Sequence, residues 1–189
     1  YIDAVLAEWA IYVRSLHLRP RLKELHLGGG TPTFFSPGEL GRLIDGILKH
    51  ADVADDHSFG FEAHPNSTTP EHLKALAARG FNRISIGVQD FNPDILRLIN
   101  RQQTAGEVER TVAAARAVGY TSINFDVIYG LPQQTQNDIV RTAVKIQQLR
   151  PERIAFYGYA HVPWVSPGQR AYDENDLPKG MEKWQLYAT

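Results

Sequence analysis

The stretch Leu25-His26-Leu27-Gly28-Gly29-Gly30-Thr31-Pro32-Thr33 decides how this chain folds. Its short apolar run reads as a buried strand; three glycines then strip the backbone of side chains, and Pro32 ends the pairing. A tight strand-to-helix turn needs only one or two glycines, so the third points to something that approaches the backbone closely. Neither familiar phosphate loop fits, because Gly28 and Gly30 have no glycine three residues further on and no Gly-Lys-Ser/Thr follows. The pattern suits recognition of a polar small molecule at the end of a strand.

Before this strand, Ile2, Val5, Leu6, Trp9, Val13 and Leu16 fall on one face of a helix. After it, Ser36-Pro37-Gly38-Glu39 forms a capping box for a second helix carrying Leu40, Leu43, Ile44 and Ile47. Ser58 to Ala63 reads as a strand ending in Glu62-Ala63-His64-Pro65, and Thr69-Pro70-Glu71 caps a helix closed by Gly80. Arg83 to Val88 is the next strand, delivering Gln89 and Asp90. Asn92-Pro93 opens a short helix, and Thr104 with Glu107 caps another that Gly119 closes. Ser122 to Ile128 is a strand stopped by Gly130-Leu131-Pro132. A helix runs from Thr135 to about Leu149, and Ile154 to Tyr159 is the last strand, leading into Ala160-His161-Val162-Pro163.

Five strand-helix units in this alternation predict an α/β fold with a parallel sheet and no internal domain boundary in 1–189. A doubly wound sheet and a barrel both satisfy the order. A closed eight-stranded barrel needs about 250 residues, more than the 189 present; a partial barrel of five strands fits, as does the doubly wound sheet. The chain opens on the helix that should follow a strand, so a first strand is expected to be missing.

The 20 Lys and Arg balance 21 Asp and Glu, which provides no global field for nucleic acid or an anionic membrane. No apolar run approaches the ~20 residues of a membrane span, and no signal-peptide pattern opens the chain; the composition is of a soluble, cytoplasmic type. The absence of cysteine excludes disulfides and thiolate metal sites within these residues. His26, His64 and His161 lack the spacing of a metal site, and without a Gly-x-Ser-x-Gly elbow there is no acyl-transfer nucleophile.

In parallel α/β folds ligands sit beyond the carboxyl ends of the strands. Those ends here carry Gly28 to Thr31, Glu62 and His64, Gln89 and Asp90, Asp126, and Tyr159 and His161. Glu62 or Asp126 taken alone reads more readily as a helix cap or an arginine's partner than as a ligand contact. Arg101 reads either as a clamp for a carboxylate or as a solvated charge, and Trp164 and Tyr157 as packing residues. Five polar or glycine-rich ends together argue for a site.

Gly28-Gly29-Gly30-Thr31-Pro32-Thr33, Ile86-Gly87-Val88-Gln89-Asp90-Phe91, Asn100-Arg101-Gln102-Gln103, Asp126-Val127-Ile128-Tyr129-Gly130-Leu131-Pro132 and Tyr159-Ala160-His161-Val162-Pro163, in this order, closely resemble the oxygen-independent coproporphyrinogen III oxidases. These are radical S-adenosylmethionine (SAM) enzymes. The resemblance implies a partial TIM-like (β/α) barrel and a four-iron four-sulfur cluster on a Cys-x3-Cys-x2-Cys loop after a first strand. Strand, loop and cluster cysteines would lie upstream of Tyr1, making this chain a core domain truncated at both ends that cannot ligate the cluster itself.

By position, the resemblance implies that Gly29, Gly30 and Thr31 receive the amino group of SAM and neighbouring atoms, that Glu62 meets the ammonium, and that Arg101 pairs with a carboxylate. Gln89 and Asp126 match further polar contacts, and Ile128 and Ala160 match positions lining a second SAM site. His64 stands where many relatives have an acidic residue and has no role assigned. No residue is assigned a catalytic acid or base role. The implied reaction is reductive cleavage of SAM to a 5′-deoxyadenosyl radical, which takes a hydrogen from a propionate β-carbon; loss of carbon dioxide and an electron leaves a vinyl group. Two propionates react, converting coproporphyrinogen III to protoporphyrinogen IX in haem biosynthesis, with an unidentified electron donor and acceptor. The competing readings are a haem-chaperone paralogue and a non-radical α/β binding module. The isolated chain is expected to be inactive, to bind SAM weakly, and to expose a parallel edge beside Leu25 that promotes association.

Overall fold

The computed structural model describes every residue, Tyr1–Thr189. Its elements are α1 (Ile2–Leu16), β1 (Arg21–Leu27), α2 (Pro37–Leu48), β2 (Asp52–Ala63), α3 (Pro70–Ala77), β3 (Phe81–Gln89), α4 (Pro93–Leu98), α5 (Ala105–Ala117), β4 (Ser122–Tyr129), α6 (Gln136–Leu149), β5 (Arg153–Gly158) and α7 (Gly180–Ala188). One five-stranded sheet takes the strands in chain order, and the β1–β2 and β4–β5 ladders are parallel. A doubly wound sheet reverses its strand order at a switch point. This sheet never reverses, which is the strand order of a partial (β/α) barrel.

The helix starts follow from local chemistry. Ser36 Oγ accepts from the Glu39 amide while the Glu39 carboxylate accepts from the Ser36 amide at 2.8 Å, and Thr104 with Glu107 repeats the exchange. Thr69 and Thr135 form the same box with His72 and Asp138, residues other than the usual Glu or Gln. Gly80 and Gly119 end their helices at φ +89° and +96°, where only glycine is unstrained.

Two compact units make up the chain: Tyr1–Ser85 with Ala113–Ser122, and Ile86–Val112 with Ile123–Thr189. In the first, fully buried Phe59 and Phe61 meet Phe81 at centroid distances of 5.7 and 6.3 Å, and Tyr120 packs on Phe61 while its hydroxyl donates to Leu73 O. Removing one such ring costs about 3–5 kcal/mol. In the second, Ile86, Val88, Ile123, Phe125 and Val127 are buried on alternate strand positions.

Strand β2 begins at Asp52, six residues earlier than its apolar pattern predicts. The polar start is held by ion pairs to the segment 19–23 that includes the start of β1: Arg19 to Asp52, Arg21 to Asp55 and Lys23 to Asp56, each at 2.7 Å. Between Leu22 and Glu24 the register jumps from Val53 to Ser58, and His57 closes this excursion through Ala54 O and Gly80 O. Two further differences concern the carboxyl end. Tyr159 lies just past β5, and α7 forms where no helix is predicted, its Tyr187 ring resting 5.4 Å from that of Tyr129. Trp164 and Tyr157, expected as packing residues, are 75% and 57% exposed. No helix is long and apolar enough to cross a membrane.

Candidate functional site

In the first unit, the β1–β2 register sets Leu25 against Phe59 and Leu27 against Phe61. Because side chains alternate, His26, Gly60 and Glu62 occupy the face opposite those phenylalanines. Gly29 and Gly30 follow at φ +83° and +147°, and nothing lies within 4 Å of where a side chain would begin on either. Gly28 is different: a Cβ there would stand 2.8 Å from Glu62 Oε1 and 2.9 Å from His26 Nε2. The half-exposed Glu62 carboxylate thus flanks the bare loop, 3.7 Å from His26 Nε2. The loop's far end is pinned by buried Thr33, whose hydroxyl bonds those of Ser67 at 3.0 Å and Thr68 at 3.1 Å. Gly29, Gly30, exposed Thr31 and Glu62 therefore belong to one open patch, with His26 added to it.

In the second unit, burial of Ile86, Val88, Phe125 and Val127 turns Gly87, Gln89, Asn124, Asp126 and Ile128 to the opposite faces of β3 and β4. Arg101 reaches over Gly87, donating through Nη2 to Gly87 O and through Nε to Gln103 Oε1 at 2.8 Å. A Cβ at Gly87 would lie 2.6 Å from Arg101 Nη2 and 2.9 Å from Gln89 Nε2, so both side chains cross that one bare α-carbon. Burial pushes the Arg101 guanidinium toward losing its proton, and the nearby Asp126 carboxylate opposes this. Asp126 also accepts from Asn124 Nδ2 at 2.8 Å. Arg101 is a held, half-buried cation rather than a solvated one.

Gln89 has φ +65° although it is not glycine. The Asp90 amide donates to Val88 O at 2.8 Å, closing a three-residue turn about Gln89 of the rare left-handed kind. Asp90 does not join Gln89 on the open face: its side chain is 1% exposed and anchored elsewhere. Ile128 stands beside Tyr157 in the β4–β5 register, as Asp126 stands beside Ala155. Beyond β5, Gln169 spans the next segment, donating to Ala160 O at 3.3 Å and accepting from the Val162 amide, while His161 stacks on Tyr172. Burial and the bond between the Tyr159 and Tyr172 hydroxyls push the Tyr159 phenol well above its ordinary value.

Gly87 and Gln103, which frame Arg101, stand in the sequence motifs without a role of their own, and Tyr157 is expected from sequence only to pack. The isolated glycine in an apolar strand is itself a signal of close approach, and Tyr157 shares parity with Ala155 on the last strand. No three His, Cys, Asp or Glu side chains converge to hold a metal ion.

Residues 3–146 match the family model of the radical SAM superfamily. The oxygen-independent coproporphyrinogen III oxidase of Pseudomonas aeruginosa is 39% identical over 188 residues, and that of Escherichia coli K12 36% identical over 186. Each alignment covers 98% of this chain, but the chain spans only 41% and 40% of those two relatives. The solved coproporphyrinogen III oxidase of Escherichia coli, described as a radical SAM enzyme, superposes on all of this chain with a TM-score of 0.93 and 34% identity, over 43% of its own length. The SAM methyltransferase TsrM of Kitasatospora setae, at 17% identity and a TM-score of 0.66 over 86% of the chain, shares the fold. The family match sets aside a module unrelated to radical chemistry, and the chain belongs to the radical SAM superfamily.

Proposed function

We propose that this chain is the cofactor-binding core of an oxygen-independent coproporphyrinogen III oxidase. The observation that carries the proposal is the side-chain-free glycine loop at positive φ beside Glu62 in the first unit; in the second unit, the half-buried Arg101 held over Gly87 next to Gln89 supports it separately. SAM presents an ammonium, a carboxylate and a sulfonium. Open backbone at Gly29 and Gly30 with the Glu62 carboxylate suits the ammonium, and a guanidinium fork suits the carboxylate. Relatives named for this activity, 36–40% identical along nearly the whole chain, support the same reading. No observation favours the haem-transfer alternative.

The residues present fit SAM and do not fit an iron–sulfur cluster, since the chain has no cysteine and no alternative ligand group. Cluster ligands would come from outside these 189 residues. When bound and reduced, SAM supplies the radical that removes hydrogen from the propionate. The chain's part is to hold the methionyl end: Thr31 and the Gly29–Gly30 backbone receive it, Glu62 accepts from it, and Arg101 fixes the carboxylate. Gln89 and Asp126 supply further polar contacts, and Ile128 with Ala160 line a second SAM position. Coproporphyrinogen III as substrate, an electron donor, an electron acceptor and a cytoplasmic location complete the proposal.

The test uses the full-length protein, reconstituted anaerobically with iron and sulfide and supplied with SAM, a reductant and coproporphyrinogen III. Protoporphyrinogen IX is the expected product, with Glu62→Ala and Arg101→Ala each reducing SAM binding. A cluster without decarboxylation would move haem transfer ahead; failure to form a cluster would reduce the likeness to one of scaffold.

A further inference from the structure

The turn at Gln89 holds a non-glycine residue in the left-handed region, a conformation that persists only where its surroundings enforce it. On one side, Arg101 and Gln103 hold the carbonyls of Gly87 and Val88. On the other side lies a buried network that the proposed function leaves unused. Asp90 Oδ1 accepts from the Asn92 amide at 2.6 Å and from Thr142 Oγ1 at 3.5 Å, and Asp90 Oδ2 accepts from Gln134 Nε2 at 2.6 Å. The Gln134 amide spends every remaining valence on the end of β4, accepting from the Gly130 and Leu131 amides at 2.7 and 3.2 Å and donating to Ile128 O at 3.1 Å.

One carboxylate–amide pair therefore ties the residue after Gln89 to the backbone of Ile128. We propose that Asp90 and Gln134 are positioning residues: their buried pair locks the left-handed turn at Gln89 and so aims the Gln89 amide, beside Arg101, at the bound cofactor. A carboxylate taken out of water is disfavoured unless its acceptors are filled. Here burial holds Asp90 above the ordinary carboxylate range, with the Asn92 and Gln134 bonds only partly offsetting it. An arrangement maintained against that tendency fixes geometry more than it adds stability. Asp90 cannot swing out to serve the open face without leaving one buried N–H of Gln134 unpaired.

This inference rests on the reading of Gln89 as a cofactor contact, and the experiment separates the two. SAM affinity is measured by anaerobic equilibrium dialysis on the full-length, cluster-loaded protein, alongside its melting temperature. Gln89→Ala is expected to weaken SAM about tenfold, the effect of one hydrogen bond to a charged ligand. Asp90→Asn is expected to give roughly threefold to tenfold weakening, because its amide would face the Gln134 amide donor to donor. Gln89→Gly should melt a few °C above Gln89→Ala, because glycine adopts the turn without strain. Gln134→Leu breaks the pair from the other partner and decides the matter should Asp90→Asn fail to fold. If Gln89→Ala binds SAM like the wild type, the reading of Gln89 falls and takes the clamp's purpose with it. If Gln89→Ala weakens binding while folded Asp90→Asn and Gln134→Leu do not, the positioning role alone is overturned.

Discussion

After β1 the chain presents bare backbone, with Gly29 and Gly30 at positive φ and nothing within 4 Å of where a Cβ would stand on either. After β3 it presents a glutamine in a similarly uncommon conformation, but surrounded by Arg101, Gln103 and the Asp90–Gln134 pair. The first region reaches the left-handed region by removing Cβ, which leaves space and freedom. The second keeps the side chain and supplies hydrogen bonds that hold the strained turn in place. The first arrangement gives a ligand access to bare backbone; the second presents a side chain whose direction is fixed by its neighbours.

The largest effect that can break this comparison is Gly87→Val. Its Cβ would lie 2.6 Å from Arg101 Nη2 and 2.9 Å from Gln89 Nε2. Stability should drop by about 1–3 kcal/mol in urea denaturation, with SAM binding lost beyond detection. Normal binding would show that the region after β3 adapts after all. Gly28→Ala tests the other side. Its clash is with the flexible ends of Glu62 and His26, so stability should change by no more than about 0.5 kcal/mol. SAM affinity should nonetheless fall about tenfold as Glu62 is displaced. Gly29→Ala meets no atom, and only its φ of +83° opposes a side chain; a loss of about 1 kcal/mol in stability is expected. A larger loss would mean that the loop is packed rather than open.

A smaller effect sharpens the view of the buried network. Asp138 sits below the ordinary carboxylate value: burial pushes it up, and bonds from the Thr135 hydroxyl and amide and from Asn92 outweigh that. Its contribution is present above the unfolded value near 3.8 and is lost as pH falls through the lowered folded value. Asp90, raised instead, weakens the fold as pH climbs from 3.8 through its folded value. Asp90→Asn should therefore steepen the rise of stability with pH on the acid side, and Asp138→Asn should flatten it. Urea midpoints measured from about pH 3 to 7 decide the matter; changes of the same sign would remove the assigned protonation states.

Much of the α/β alternation was legible because its signals are local. Ser36 with Glu39 and Thr104 with Glu107 announce their helices within four residues, and both capping boxes form. The start of β2 was not, since Asp52, Asp55 and Asp56 look like loop until Arg19, Arg21 and Lys23 stand opposite them. Helix α7 has no side-chain cap, and Leu186 is its one buried residue, so no periodic stripe marked it. At the candidate site, residue type and strand end pointed to Glu62, Gln89 and Asp126. Nothing in a glutamine signals positive φ, and Asp90 looked like a ligand contact because its partners Gln134 and Thr142 lie 44 and 52 residues away.

The ion pairs joining β1 to the start of β2 have a consequence for how the chain assembles. Lys23 and Arg21 are more than half exposed, as are their aspartates, and such pairs add little to equilibrium stability. Yet cations on one strand and acids on the other distinguish alignments that burial alone treats alike. A one-residue slip turns every apolar side chain outward; a two-residue slip preserves the faces but parts each cation from its acid. The ladder works as an address, selecting one pairing during folding at a point where the register jumps from Val53 to Ser58.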